Sequence, residues 1–181
     1  MAMVRQRGKR SGPPTANDAG PQAPALRQEL VALATGDGAE VAGRNDRLWE
    51  VLDDYECWPG WRLVGRDGAE AAWLVAQWAI DDVGLQRRCL EMLELAVACN
   101  DADPVHLAYL TDRVRMHDGR DQLYGSQFVL GEDGELRPWP VDDVAAVDRR
   151  RARLGLPPLA IHASSMSAEW RVRRGEGRAQ S

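Results

Sequence analysis

The sequence is nearly without lysine: of its 23 basic residues only Lys9 is one, and the other 22 are arginine. That bias is what a GC-rich, actinomycete-like genome produces. Cysteine is sparse, with Cys57, Cys89 and Cys99 and no CxxC. Three thiols cannot all pair, so a disulfide scaffold and an all-cysteine zinc site are excluded. A reducing, cytoplasmic setting is expected. Phenylalanine occurs once, as Phe128. No apolar run approaches the roughly 18 residues of a membrane span. The basic N-terminus lacks the apolar segment of a secretory signal, so no membrane partner is expected. GxSxG, P-loop, GxGxxG and HExxH patterns are absent. The three histidines, His106, His117 and His162, lie 11 and 45 residues apart, which leaves no pair at metal-ligand spacing. The expectation is therefore a chain without metal or cofactor.

What is present fits one globular domain. The chain has 181 residues, 44% of them hydrophobic, close to ordinary globular composition. Its net charge of −5 conceals a split. Residues 1–24 carry +3, residues 25–148 carry −14, and residues 149–181 carry +6. An acidic body is a poor nucleic-acid partner, because phosphate contacts dominate that affinity. The Pro- and Gly-containing stretch 1–24 has no apolar period and is expected to be a disordered basic arm. Residues 25–163 form the expected helical domain. Residues 164–181 look like a second basic tail, in which Trp170 is the only large anchor for docking back.

Helical periodicity dominates the body. Leu26, Leu30 and Leu33 predict a first helix, followed by a Gly-rich break at 36–43. Asn45 or Asp46 would cap a second, with Leu48, Val51, Leu52 and Tyr55 on one face. Cys57-Trp58-Pro59-Gly60 would end it. A third helix is expected from Asp67 and a fourth over about 82–99. Asp103-Pro104 marks the start of a fifth, with Asp as cap and Pro in the first turn. Residues 127–141 read as a β-hairpin around Asp133-Gly134, with Pro138 and Pro140 confining its second arm to an edge. Asp142 or Asp143 opens a last helix that Gly155 closes. The expected fold is mainly α: a single-domain bundle of five or six helices with one small β-hairpin.

Three clusters carry candidate chemistry. On the third helix Trp73, Gln77 and Asp81 are spaced by four and share a face, with Trp78 beside it. Asp81 is then a general base or substrate anchor and Gln77 an orienting amide; alternatively Asp81 is only an exposed helix-end residue or a cap. On the fifth helix His106, Tyr109, Leu110 and Arg113 recur at helical spacing, with Asp112 adjacent. Neighbouring helix residues point apart, so Asp112 and Arg113 must each find a separate partner, for example Asp81 for Arg113. Arg113 could hold a carboxylate or phosphate and Asp112 could move a proton, or both could belong to a packing network. The third cluster is Gln122-Leu123-Tyr124-Gly125-Ser126-Gln127, read either as a substrate-reading strand or as a hairpin arm whose polar side chains tie the loop to the body. Of the three thiols, Cys57, before a Trp-Pro turn, is the candidate for reactivity.

The strings WPGWRLVG, AAWLVAQWAIDD, LAYLTDRVRMHDGRDQLYGSQF, PWPVDD and VDRRRARLGLPPLA together resemble a bacterial family known only as domain of unknown function 6624, over about residues 26–162. The resemblance implies four motifs. A Gly-Trp-Pro turn falls on Trp58 and Pro59, and a Gln-His-Ala-Asp motif on Gln77, Trp78, Ala79 and Asp81. An Asp-Arg pair falls on Asp112 and Arg113, and a Tyr-Gly-Thr-Gln motif on Tyr124, Gly125, Ser126 and Gln127. This chain departs where Trp78 replaces the family's His and Asp81 stands one residue late. An indole donates one hydrogen bond and stacks, but cannot act as a base.

These readings give an expected function. A small cofactor-independent enzyme, in specialised metabolism, would act on a small molecule or peptide by hydrolysis, elimination or cyclisation. Asp112, Asp81 and Tyr124 are its catalytic candidates. Arg113, Gln77, Trp78, Trp73, Tyr109, Ser126 and Gln127 would bind substrate. The alternative is a non-catalytic ligand- or protein-binding module that has lost the family's His.

Overall fold

The computed structural model describes residues 20–36 and 43–175. Among them the order is α1 (Pro24–Thr35), α2 (Arg44–Tyr55), α3 (Trp61–Trp78), α4 (Val83–Ala98), α5 (Pro104–His117), β1 (Phe128–Leu130), β2 (Leu136–Pro138), α6 (Val144–Arg153) and α7 (Leu159–Arg173). The fold is mainly helical with one small antiparallel hairpin. Most of the 1–24 arm and of the 36–43 break lies outside the described residues.

Local chemistry explains most of the helix starts. Asp82, Asp103 and Asp143 cap α4, α5 and α6, each accepting from an amide two or three residues on, which satisfies donors that no helical carbonyl can reach. Two starts differ from expectation. Helix α2 begins at Arg44, with Gly43 as its cap; Asp46 sits in the first turn instead, where its charge suits the helix dipole. Helix α3 begins at Trp61, a turn before Asp67, and Gly65 breaks that turn at φ 74°. Glycine reaches that angle without strain.

Helix α3 is the centre, packing against α1, α2, α4 and α5. Ala69, Ala71, Ala72 and Ala76 are almost fully buried on it, and their small side chains admit neighbours on several sides at interior density. Leu26 and Leu30 of α1, Leu48, Val51 and Leu52 of α2, Leu85 and Leu93 of α4, and Leu110 of α5 complete the core. Tyr55, expected on the apolar face of α2, is exposed at the helix end.

The hairpin, α6 and α7 pack together as a second layer. Phe128 pairs with Pro138 and Leu130 with Leu136. The expected tail is partly helix: α7 runs through residue 164 to Arg173. The Trp170 indole donates to the Gly134 carbonyl at 3.3 Å, so this anchor does dock back. No residue of α7 is buried, which is why its apolar period was too weak to read.

Candidate functional site

The adjacent Asp112 and Arg113 do point apart, and each finds its own partner. Asp112 is fully buried. Its carboxylate accepts from the N–H groups of Leu123 (2.7 Å), Tyr124 (3.1 Å) and Ser126 (3.0 Å), and from the Ser126 hydroxyl (2.9 Å). Burial holds its pKa above the usual carboxylate value, a rise that those four donors only partly offset. The carboxylate is consumed in holding the loop. A general base needs a free lone pair facing substrate, and these bonds direct the Asp112 carboxylate at the loop instead.

The same loop is gripped from its other edge. Arg151 donates to the carbonyls of Tyr124 (2.7 Å) and Pro157 (2.6 Å), and Arg150 to that of Leu123 (3.2 Å). Tyr124 thus enters the structure through its backbone. Gly125 lies at φ 69°, and a Cβ there would meet Leu159 Cδ1 at 2.5 Å. The neighbour that needs the glycine is therefore α7. Gln127 donates to Ser126 Oγ (2.8 Å) and to the Tyr109 carbonyl (3.3 Å). The Tyr124–Gln127 segment is a loop tied to the body, the second of the two readings given for it.

Arg113 faces the other way. Its Nε donates to Gln77 Oε1 at 3.4 Å. No carboxylate among the described residues pairs with it, and burial draws its pKa down with nothing to oppose that shift. One turn before Gln77 on α3, Trp73 stacks flat on His106 at 4.1 Å and 5°. Trp73 also meets Tyr109 edge to face at 6.1 Å. Gln77 is 6% exposed, whereas Trp73, His106, Tyr109 and Arg113 are half-buried. The indole N–H of Trp73 and the amide nitrogen of Gln77 are buried without a partner. Burial lowers the pKa of His106, against the opposing pull of Asp103 and Glu70, so its imidazole is neutral near pH 7.

Other expected residues stand apart from this face. Asp81 is exposed in the turn between α3 and α4, because α3 ends at Trp78 and the four-residue spacing no longer applies beyond it. It is not the partner of Arg113. Trp78 is 50% exposed and lies under the Arg44 guanidinium at 5.4 Å. It packs as a cation–π surface pair, away from the buried side of α3 that Gln77 occupies. A groove of about 220 Å³ opens elsewhere, lined by Cys57, Trp58, Arg62, Met92, Cys99 and Asp101 among others. It shares no residue with the Trp73–Arg113 face, and its main polar groups already pair, Arg62 with Asp101 at 3.3 Å. Cys57 is not activated there: burial and Asp101 push its thiol pKa up. No group of three His, Cys, Asp or Glu side chains converges at metal-binding range among the described residues.

Two residues escaped the sequence reading, Gln86 and Arg151, and Gln122 was read only as the first residue of the Gln122–Gln127 segment. Gln122, fully buried, accepts from Gln127 N–H (2.8 Å) and donates to the carbonyls of Gln127 and Trp139, stapling both ends of the hairpin. Gln86, also fully buried, donates to the Ala76 carbonyl near the end of α3 at 3.0 Å, which the Ala79 N–H also reaches. Arg151 is the largest fully buried side chain. No local pattern separates it from the exposed Arg149 and half-buried Arg150 before it.

The chain belongs to the family of unknown function DUF6624, whose family model matches residues 17–169. No curated protein and no solved structure gives a match. No described helix is long and apolar enough to cross a membrane.

Proposed function

We propose that this family member binds a small molecule or short peptide on the shared face of α3 and α5, at Trp73, Gln77, His106, Tyr109 and Arg113. One observation carries the reading: the Gln77 amide nitrogen is buried and unpartnered beside an arginine without a counter-ion. A buried donor left unsatisfied costs about 1–3 kcal/mol. A ligand supplying acceptors would recover that cost, whereas a purely structural face gains nothing from it. The half-buried rings of Trp73, His106 and Tyr109 add aromatic surface at the rim.

Catalysis is the second reading, and His106 favours it. A neutral imidazole can accept a proton at neutral pH, which hydrolysis, elimination or cyclisation would use. Such an enzyme would need no cofactor for that step, and a place in specialised metabolism goes with this reading alone. Asp112 and Asp81 lose support as acid–base groups, the first because its lone pairs are occupied and the second because it is out in the turn.

The test is a thermal-shift screen of metabolites and short peptides on wild type, Gln77→Leu and Trp78→Ala, with each hit then incubated and assayed for turnover by mass spectrometry. A hit lost in Gln77→Leu and kept in Trp78→Ala supports binding on this face. Turnover lost in His106→Gln supports the catalytic reading. Hits indifferent to Gln77→Leu, or no hit at all, overturn the proposed site.

A further inference from the structure

The buried polar atoms left without a partner on the α3–α5 face are donors, and the carboxylate that acts on His106, Glu70, is exposed at the end of the face away from Arg113. The Trp73 indole N–H can only donate. The Gln77 amide is already used on its oxygen side, so its NH2 is what remains. The Arg113 guanidinium has only donors, and apart from the long bond to Gln77 it meets no acceptor among the described residues. A face of unmet donors with one uncompensated positive charge is complementary to a planar anion that only accepts. A carboxylate matches the guanidinium fork with two parallel hydrogen bonds. With a single arginine on the face, one negative charge is what it can neutralise.

The face also has two distinct ends. Gln77 with Arg113 marks one, and the Trp73–His106 stack marks the other. Trp73 pairs with His106 and Gln77 with Arg113, so residue numbers rise together and α3 and α5 run in the same direction. The seven residues from His106 to Arg113 span roughly 10 Å of helix axis. Tyr109 lies between and touches Trp73. A polar head at Arg113 would therefore leave an apolar body lying along Tyr109 towards the stacked rings.

We infer that the ligand of this site is a monocarboxylate with an apolar or aromatic body of a few carbons, its carboxylate held by Arg113 and the Gln77 amide. This rests on the binding-site reading above and adds the chemical class. A free organic acid and the C-terminal carboxylate of a peptide share that chemistry.

Titration by NMR, following the Trp73 indole N–H peak assigned through Trp73→Phe, tests it on the full chain. The probes are 3-phenylpropionate and its carboxamide, N-acetyl-alanyl-phenylalanine and its C-terminal amide, and inorganic phosphate. Acids should bind at least about tenfold more tightly than their amides, the scale of one charge-assisted hydrogen bond. Arg113→Gln, checked for folding by its own spectrum, should abolish that preference, and Gln77→Leu should reduce it independently. The free acid binding alone, or the peptide acid binding alone, identifies the source. Amides binding as well as acids, or phosphate binding in preference to both, overturns the carboxylate class while leaving the site. No probe moving the Trp73 peak at millimolar concentration overturns the inference and the site together.

Discussion

Asp112 and Arg151 hold opposite edges of one loop. The N–H groups of Leu123, Tyr124 and Ser126 point to Asp112, and the Tyr124 carbonyl points to Arg151. Both side chains are completely buried. Neither meets the other directly; the peptide groups between them disperse both charges. Helix α5 and helix α6 are thereby joined through four residues of backbone, and Gly125 lets α7 close over them.

Removing either grip strands the donors or acceptors it served. Asp112→Asn turns one accepting oxygen into an NH2 facing N–H groups. Unfolding in urea should show a loss of about 2–4 kcal/mol, the range for breaking a buried, charge-assisted network. Amide exchange at Leu123, Tyr124 and Ser126 should quicken more than exchange in α3.

Gly125→Ala should cost about 1–3 kcal/mol for two reasons. Its φ of 69° disfavours a side chain, and the new methyl would strike Leu159. Combining it with Leu159→Ala should relieve the contact and not the backbone strain. A double-mutant cycle on urea midpoints therefore yields partial rescue; additive losses would show that contact with Leu159 contributes nothing.

Acid should weaken the fold through two of its histidines. Burial lowers the pKa of His106 and His162 in the folded protein, while an unfolded histidine titrates near about 6.5. Between the folded and unfolded values the unfolded chain binds more protons, so stability rises with pH across that window. The contribution is present above about pH 6.5 and is lost as pH falls through the folded values. Urea midpoints should drop from about pH 7.5 to about pH 5, and His106→Phe, which keeps a ring against Trp73, should flatten part of the slope.

Cys57 should be a slow nucleophile despite its exposure. Its thiol pKa is raised by burial and by Asp101, and the thiolate is the reactive form. Alkylation by iodoacetamide at neutral pH, followed by peptide mass spectrometry, should label Cys57 more slowly than free glutathione. Asp101→Asn should speed it. Labelling faster than glutathione would contradict the assignment.

Gln122→Ala should loosen the hairpin without touching the α3–α5 face. It removes three hydrogen bonds, worth about 1 kcal/mol each. Exchange at Gln127 and Trp139 should accelerate, while ligand affinity at Arg113 stays unchanged.

The starts of α5 and α6 and the stop of α6 were legible in the chain because their causes are local. Asp103-Pro104, Asp143 and Gly155 act within a turn of themselves, and no distant contact overrides them. The spacing of His106, Tyr109 and Arg113 likewise placed three side chains on one face, since helix geometry follows from residue count. Extending that logic to Asp81 failed where α3 ended three residues short of it. A periodicity argument holds only while the helix lasts.

Which polar residue is structural and which is open was settled by packing. Asp112 and Arg113 are neighbours of equal promise in the sequence, yet one is saturated by a loop and the other lacks a counter-ion. Arg151 sits in a run of arginines and is the one taken inside, where its Nε and Nη1 meet carbonyls that arrive from residues 157 and 124. Fold class came from hydrophobic period and turn chemistry, which are short-range. The proposed site rests on donors left unmatched after the long-range contacts have formed, and that remainder exists only once the chain is folded.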